Sequence, residues 1–261
     1  MIVEPKILNN ICITAHPLGC KKEVENQINY VKSQPKIKSN VKNALILGAS
    51  GGYGLASRIA IAYGLGAKTI GVSFEKPATE RRTATPGWYN NEAFSEFAKK
   101  DGIEEKTLIL DAFLNASKEE VIKEAKSFFD GKIDLFIYSL AAPVRMDEKT
   151  GILYRSTLKP IGKTYNGMGI DFMTEELLNV SIEPANEEDI KNTIKVMGGE
   201  DWKLWTDALI DADMLSENAI NIAYSYIGPE MTKAVYRDGT IGKAKDDLEE
   251  TAIKLDKMMQ D

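Results

Sequence analysis

Histidine is nearly absent: the 261 residues contain one, His16. A three-histidine zinc site or a serine–histidine–aspartate triad therefore lacks its parts unless His16 itself serves. A structural place for His16 near the N-terminus is expected rather than a catalytic one. Cysteine is almost as scarce. Cys12 and Cys20 form neither a CxxC pair nor a metal-ligand spacing, so no metal site is expected and the thiols are read as reduced, in a cytoplasmic protein. No run of about 18 apolar residues occurs, so no membrane span is expected. The opening MIVEPKILNN has neither the basic start nor the apolar stretch of a signal peptide. Positive charge is in deficit, with 33 Lys+Arg against 39 Asp+Glu and a net charge of −6. That balance argues against nucleic acid as the main partner. Repeats and low-complexity linkers are also missing. What remains is 43% hydrophobic and 28% charged, the profile of a chain with a substantial core.

The pattern along the chain alternates strand and helix. Residues 11–14 read as a short strand, HPLGC (16–20) as a turn, and 21–32 as a helix with Val24, Ile28 and Val31 on one face. The segment 43–50, an apolar run ending in glycines, suits a buried parallel strand. A helix over 55–67, a strand over 68–75, an irregular polar stretch over 76–91 and a helix over 92–100 follow. Next come a strand at 107–111, an amphipathic helix at 118–129 and a strand at 133–143. Residues 144–217 break the rhythm, with helical pieces near 187–197 and 201–210. A strand at 219–228 and a strong helix at 243–259 close the chain. Such alternation predicts an α/β, Rossmann-like, doubly wound parallel sheet.

The first sharp motif is GASGGYG: Gly48, Ala49, Ser50, Gly51, Gly52, Tyr53 and Gly54, between a strand and a helix. Its G-x3-G-x-G spacing is not GxGxxG, yet it can do the same work. Glycines let the backbone approach a ligand, and the following helix presents free N–H groups to a pyrophosphate. The second strand ends at Glu75, 21 residues after Gly54. An acidic residue there can accept from the adenosine ribose hydroxyls and repel a 2′-phosphate, favouring NAD over NADP. Arg81 and Arg82 pull the other way, since a phosphate could meet them. The third strand ends at Asp111-Ala112, suited to the adenine amino group, and the fourth at Ser139-Leu140. Four successive strand ends thus carry plausible cofactor contacts.

A proton donor is sought among tyrosines with a nearby lysine, whose ammonium favours the phenolate. The Tyr-x3-Lys spacing of short-chain reductases is absent here. Tyr236 has Lys243 at x6 and Lys245 at x8, Tyr226 has Lys233 at x6, and Tyr224 has Lys233 at x8. With Gly239 and Gly242 in between, Tyr236 is expected to precede a helix starting near Thr240, and spacing leaves both Lys243 and Lys245 open.

The arrangement Tyr226-x9-Tyr236-x8-Lys245 resembles the V-type enoyl-ACP reductases and the related trans-2-enoyl-CoA reductases. GASGGYG, Phe74-Glu75, Asp111-Ala112, Ser139-Leu140, TPGWYN (85–90), VMGGEDWKLW (196–205) and HPLGC resemble them too. The resemblance covers essentially the whole chain. It implies a Rossmann-like fold, NADH as cofactor, Tyr236 as proton donor, Lys245 on the nicotinamide ribose and Tyr226 on the substrate carbonyl. The implied substrate is an enoyl-CoA or enoyl-ACP thioester, with CoA and short acyl chains favoured, acted on by a monomer. Residues 1–261 are then expected to form a single NAD-binding enoyl-reductase domain, with 144–217 as an insertion covering the acyl chain. The resembled family also continues past a helix like 243–259 into further strands, so the chain is expected to be a C-terminally truncated member. The rival readings are a ketone/alcohol dehydrogenase of the short-chain type and a non-catalytic nucleotide-binding protein.

Overall fold

The computed structural model describes residues 2–8, 11–171, 174–226 and 228–260. They form two compact units. The first comprises Met1–Ser139 and Ala208–Tyr224, and the second Leu140–Asp207 and Ser225–Asp261.

The first unit opens with a small hairpin, β1 (Ile7–Leu8) and β2 (Ile11–Cys12), followed by α1 (Pro17–Ser33). HPLGC is therefore a helix start rather than a turn. His16 caps it, its Nδ1 accepting from the Gly19 N–H at 3.1 Å, and Pro17 stands where its missing N–H costs nothing. Then come β3 (Asn43–Leu47), α2 (Gly52–Ile59), β4 (Lys68–Ser73), α3 (Pro86–Asp101), β5 (Glu105–Ile109), α4 (Asn115–Phe128) and β6 (Ile133–Tyr138). After α2 the chain continues as a wider π-type turn (Ala60–Leu65), ended by Gly66 at φ 73°. Of the stretch 76–91 expected to be irregular, residues 86–91 already belong to α3, because Thr85 and Pro86 start a helix there.

In the second unit β7 (Val144–Asp147) pairs antiparallel with β8 (Ile152–Arg155), and β9 (Tyr165–Ile170) with β10 (Leu177–Ile182). These hairpins left no clear trace in the sequence pattern. Helices α5 (Glu187–Met197) and α6 (Glu200–Asp211) follow. The chain returns to the first unit for β11 (Leu215–Ala223), and α7 (Thr240–Gln260) closes the second. Trp202 and Trp205, at i, i+3 on α6, are buried. In the same unit Gly199 N–H donates to Asp247 on α7 at 2.8 Å. Arg145, Asp147, Lys195 and Glu200 form an ion cluster.

The main sheet runs β11-β6-β3-β4-β5 with every neighbour parallel. Numbered by order of appearance, its strands lie 3-2-1-4-5, the order of a doubly wound nucleotide-binding sheet. The register aligns their carboxyl ends: Leu47 lies opposite Val72 and Tyr138, Ser73 opposite Ile109, and Tyr138 opposite Ala223. One apolar cluster joins α1, α2 and α3 through Val24, Ile28, Ile59 and Phe94. Another joins the sheet through Ala44, Ile46, Leu135 and Ile137. Fully buried Arg58 ties α2 to β5, bonding Glu105 at 2.5 Å and Thr107 at 3.0 Å and lying 4.3 Å over the Phe94 ring. Desolvation by burial draws its guanidinium down to about 10 against the pull of Glu105.

Candidate functional site

Open parallel sheets bind ligands beyond their strands' carboxyl ends, where the strand order reverses. That point here lies between β3 and β6. The GASGGYG loop leaves β3 and turns into α2. The N–H groups of Gly48 and Ala49 donate to Val72 O at 2.8 and 3.1 Å, holding the loop to the end of β4. Helix α2 then begins at Gly52, and no side chain caps its first turn. Its N–H groups and positive dipole end are thus available to an anion. A Cβ on Gly54 would lie 2.1 Å from Gly48 O and 3.3 Å from Ser139 Cβ. The loop is therefore closed on itself against the end of β6, and only glycine fits.

Tyr53 is exposed and stacks on Tyr224, with ring centroids 5.3 Å apart. The Tyr224 hydroxyl lies 2.5 Å from Ser57 Oγ, which donates to Tyr53 O at 2.7 Å. Phe74 is also exposed. Glu75 is held on both oxygens: Ser50 Oγ donates to Oε1 at 2.5 Å, and Thr85 Oγ1 donates to Oε2. Asn90 Nδ2 donates to Ser50 O at 2.9 Å, and Asn91 Nδ2 to Ser73 Oγ at 2.9 Å. Asp111 closes a local turn, its Oδ1 accepting from Phe113 N–H at 3.0 Å. Ala112 is buried, and buried Lys118 donates to its carbonyl at 3.2 Å. Ser139 N–H donates to Leu47 O at 3.0 Å. The predicted residues 48–54, 74–75, 111–112 and 139 thus gather along one edge of the first unit. Leu140 opens the second unit. Arg81 and Arg82 are exposed in a hairpin closed by a Thr79–Arg82 bridge.

Tyr226, Tyr236 and Lys245 all belong to the second unit. Tyr226 is half exposed, and its ring meets Tyr236 edge to face at 5.8 Å and 88°. The Tyr236 carbonyl accepts from Gly239 N–H at 3.1 Å and Gly242 N–H at 2.8 Å. Arg237 pairs with Asp246 at 3.1 Å, tying this loop to α7. Helix α7 starts at Thr240, as the sequence suggested. The two lysines that spacing left open differ in setting. Lys243 is exposed and pairs with Asp246 at 3.1 Å. Lys245 is partly buried, and desolvation holds its ammonium below the ordinary lysine value. Among the described residues it has no carboxylate partner. An uncompensated ammonium of this kind suits a ligand's hydroxyls or a phenolate better than a structural ion pair.

Sequence reasoning missed Ser50 and Thr85 as the grip on Glu75, and Tyr224 as the partner of Tyr53. Thr85-Pro86 was a usable helix-start signal; nothing local pointed to Tyr224. Among the described residues, no helix is long and apolar enough to cross a membrane.

Two family models match the chain. One describes the NAD(P)H-binding domain of trans-2-enoyl-CoA reductase and covers residues 2–80; the other describes the catalytic region of that enzyme and covers 82–261. A trans-2-enoyl-CoA reductase (NADH) from Brachyspira hyodysenteriae is 85% identical over 100% of this chain and 67% of its own length. An enoyl-acyl-carrier-protein reductase (NADH) from Flavobacterium johnsoniae is 54% identical over 98% of this chain and 64% of its own. The crystal structure of Clostridium acetobutulicum trans-2-enoyl-CoA reductase in complex with NADH superposes with a TM-score of 0.95 at 49% identity. It is matched over 99% of this chain and 65% of that one. The chain thus spans about two thirds of the length of these relatives.

Proposed function

The chain belongs to the trans-2-enoyl-CoA reductase family, and from that premise we propose that it reduces the trans-2 double bond of enoyl thioesters with NADH. The carrying observation is the match of residues 82–261 to the family's catalytic region, in a chain whose first unit has a nucleotide-binding strand order. Enoyl-CoA is the favoured substrate, because the Brachyspira relative at 85% identity is a CoA enzyme. Short acyl chains such as crotonyl are favoured with it.

The residues present fit NADH on three counts. Gly51 and Gly52 face open space at the start of α2, the first turn of α2 is uncapped by any side chain, and Glu75 stands at the end of the second strand of the nucleotide fold. In this reading residues 48–54 hold the pyrophosphate, Phe74 and Glu75 the adenosine ribose, Asp111 and Ala112 the adenine, and Ser139 and Leu140 the nicotinamide side. Bound there, NADH supplies a hydride for the β-carbon of the thioester.

Negative charge then develops on the thioester oxygen. The Tyr226 hydroxyl donates to that oxygen and stabilises the charge as an oxyanion donor does. The Tyr236 hydroxyl delivers the proton that completes the reduction. Lys245 donates to the nicotinamide ribose, and its positive charge eases proton loss from Tyr236. The segment 144–217 covers the acyl chain. We read the protein as one enoyl-reductase domain, monomeric and cytoplasmic.

The test is NADH consumption by the intact protein with crotonyl-CoA, crotonyl-acyl-carrier protein or a simple ketone. Turnover with crotonyl-CoA is expected. Turnover with the ketone alone identifies a short-chain dehydrogenase, and turnover with none identifies a nucleotide-binding protein without this chemistry.

A further inference from the structure

Both oxygens of Glu75 are already engaged within the protein. Ser50 Oγ lies 2.5 Å from Oε1 and Thr85 Oγ1 donates to Oε2. Ser50 comes from the glycine loop and Thr85 from the residue that precedes α3, so the carboxylate bridges two elements. The bridge has further support. Thr85 also accepts from Lys76 N–H at 3.2 Å, and its own N–H donates to Lys76 O at 3.0 Å, closing the loop that carries Arg81 and Arg82. Asn90, one turn into α3, bonds Ser50 O at 2.9 Å. A Cβ on Gly87 would lie 2.1 Å from Glu75 Oε1 and 2.8 Å from Ser50 Cβ, so α3 packs its backbone directly on the carboxylate. Carboxylate, loop and helix start leave no room for Glu75 to turn aside.

We propose that Thr85 is a positioning residue for cofactor discrimination, fixing the Glu75 carboxylate so that it accepts from the adenosine ribose diol and rejects a 2′-phosphate. The inference rests on the NADH reading above. A carboxylate has about four acceptor sites. Ser50 and Thr85 fill two and leave two, the number that a 2′,3′-diol can use. A 2′-phosphate offers no donor and brings charge of the same sign. A carboxylate free to rotate evades that repulsion; a clamped one cannot. Specificity then comes from rigidity as well as charge, because rejection requires that the unfavourable contact be inescapable. Without the Thr85 hydroxyl the loop 76–85 also loses the bond from Lys76 N–H and keeps only the backbone bond from Thr85 N–H to Lys76 O, which loosens the segment that carries Arg81 and Arg82.

The experiment is fluorescence titration of the intact protein with NADH and with NADPH, for the wild type, Thr85→Ala and Thr85→Ser. Thr85→Ala is expected to lower the NADH preference by about tenfold, equivalent to about 1.4 kcal/mol. Weaker NADH binding and stronger NADPH binding both contribute to that fall. Thr85→Ser keeps the hydroxyl and is expected to restore the preference. A merely structural Thr85 weakens both cofactors alike and leaves the ratio at the wild-type value, which overturns the proposal. An unchanged ratio with both affinities intact overturns it too. A wild-type protein that binds neither cofactor overturns the underlying nucleotide reading, and that outcome differs from a wild type that binds NADH while Thr85→Ala keeps its preference.

Discussion

Alanine at three glycines of one motif should give three different results. In Gly54→Ala the new methyl carbon meets Gly48 O at 2.1 Å and Gly48 C at 2.8 Å, while ordinary contact begins at 3.4 Å. The start of α2 and the end of β3 must therefore part by roughly 1.3 Å. Overpacking of this kind costs about 1–3 kcal/mol, and the upper end applies because the obstacle is backbone, which cannot rotate away. At about 2–4 °C per kcal/mol for a chain of this size, the melting temperature falls by roughly 6–12 °C. In the proposed cofactor site the same shift would move the α2 N–H groups away from the pyrophosphate, so NADH should bind more weakly. Gly52 has a φ of +52° but nothing within 4 Å, so Gly52→Ala carries only the left-handed backbone penalty of about 1–2 kcal/mol. Gly51 has a φ of −162° and also open space, but it is the N-cap of α2, so Gly51→Ala should carry only the cap preference, about 0.5–1 kcal/mol. Thermal melts and NADH titrations of the three variants are the assay. Wild-type stability in Gly54→Ala, or an equal fall in melting temperature in Gly51→Ala, would refute the packing argument.

Tyr236→Phe removes the proposed proton donor and should lower kcat with crotonyl-CoA by about 10²–10⁴-fold, leaving the NADH Kd in place; steady-state kinetics beside titration read the two apart. Lys243→Ala should leave activity within about twofold of wild type, as expected for an exposed ion pair of little worth, whereas Lys245→Met should abolish turnover. Burial holds the Lys245 pKa below that of the unfolded chain, so the protonated form is disfavoured in the folded state. Lys245→Met should therefore raise the melting temperature at pH 7, with the gain shrinking as pH passes the ordinary lysine value. Asp147 is held down to about 2, first by Lys195 and then by the N–H groups of Thr150 and Lys149. Its stabilisation is present above the unfolded carboxylate value near 3.8 and is lost as pH falls through about 2. Melts of wild type and Asp147→Asn should differ at pH 7 and converge toward pH 2.

The sheet was legible because β3, β4 and β6 are short, largely apolar runs buried along their lengths. Their carboxyl ends could be read for the same reason, so Gly48, Glu75 and Ser139 were found from strand ends alone. Helix starts marked by proline were harder. His16 and Pro17 start α1, and Thr85 and Pro86 start α3, but neither start carries the apolar periodicity that marks a helix. The third strand was placed two residues late, since Glu105 and Lys106 look like solvent positions. Glu105 is instead the counter-charge of buried Arg58, a partnership 47 residues apart. The choice between Lys243 and Lys245 was invisible to spacing because it depends on which one α7 turns toward solvent. The hairpins of the second unit escaped notice because β10 is largely exposed, and because β9 turns Gly167 and Gly169 to its half-buried face and Met168 and Ile170 to its exposed one, so its apolar residues do not report its pleat.

The central claim is hydride transfer from NADH to the β-carbon of an enoyl thioester, with protonation at the α-carbon. The most direct measurement is product analysis after the intact protein turns over crotonyl-CoA with NADH deuterated at its transferable position. The account predicts butyryl-CoA with the label on the β-carbon and a solvent-derived hydrogen on the α-carbon. Label on the α-carbon, or no NADH-dependent conversion of crotonyl-CoA, would contradict it.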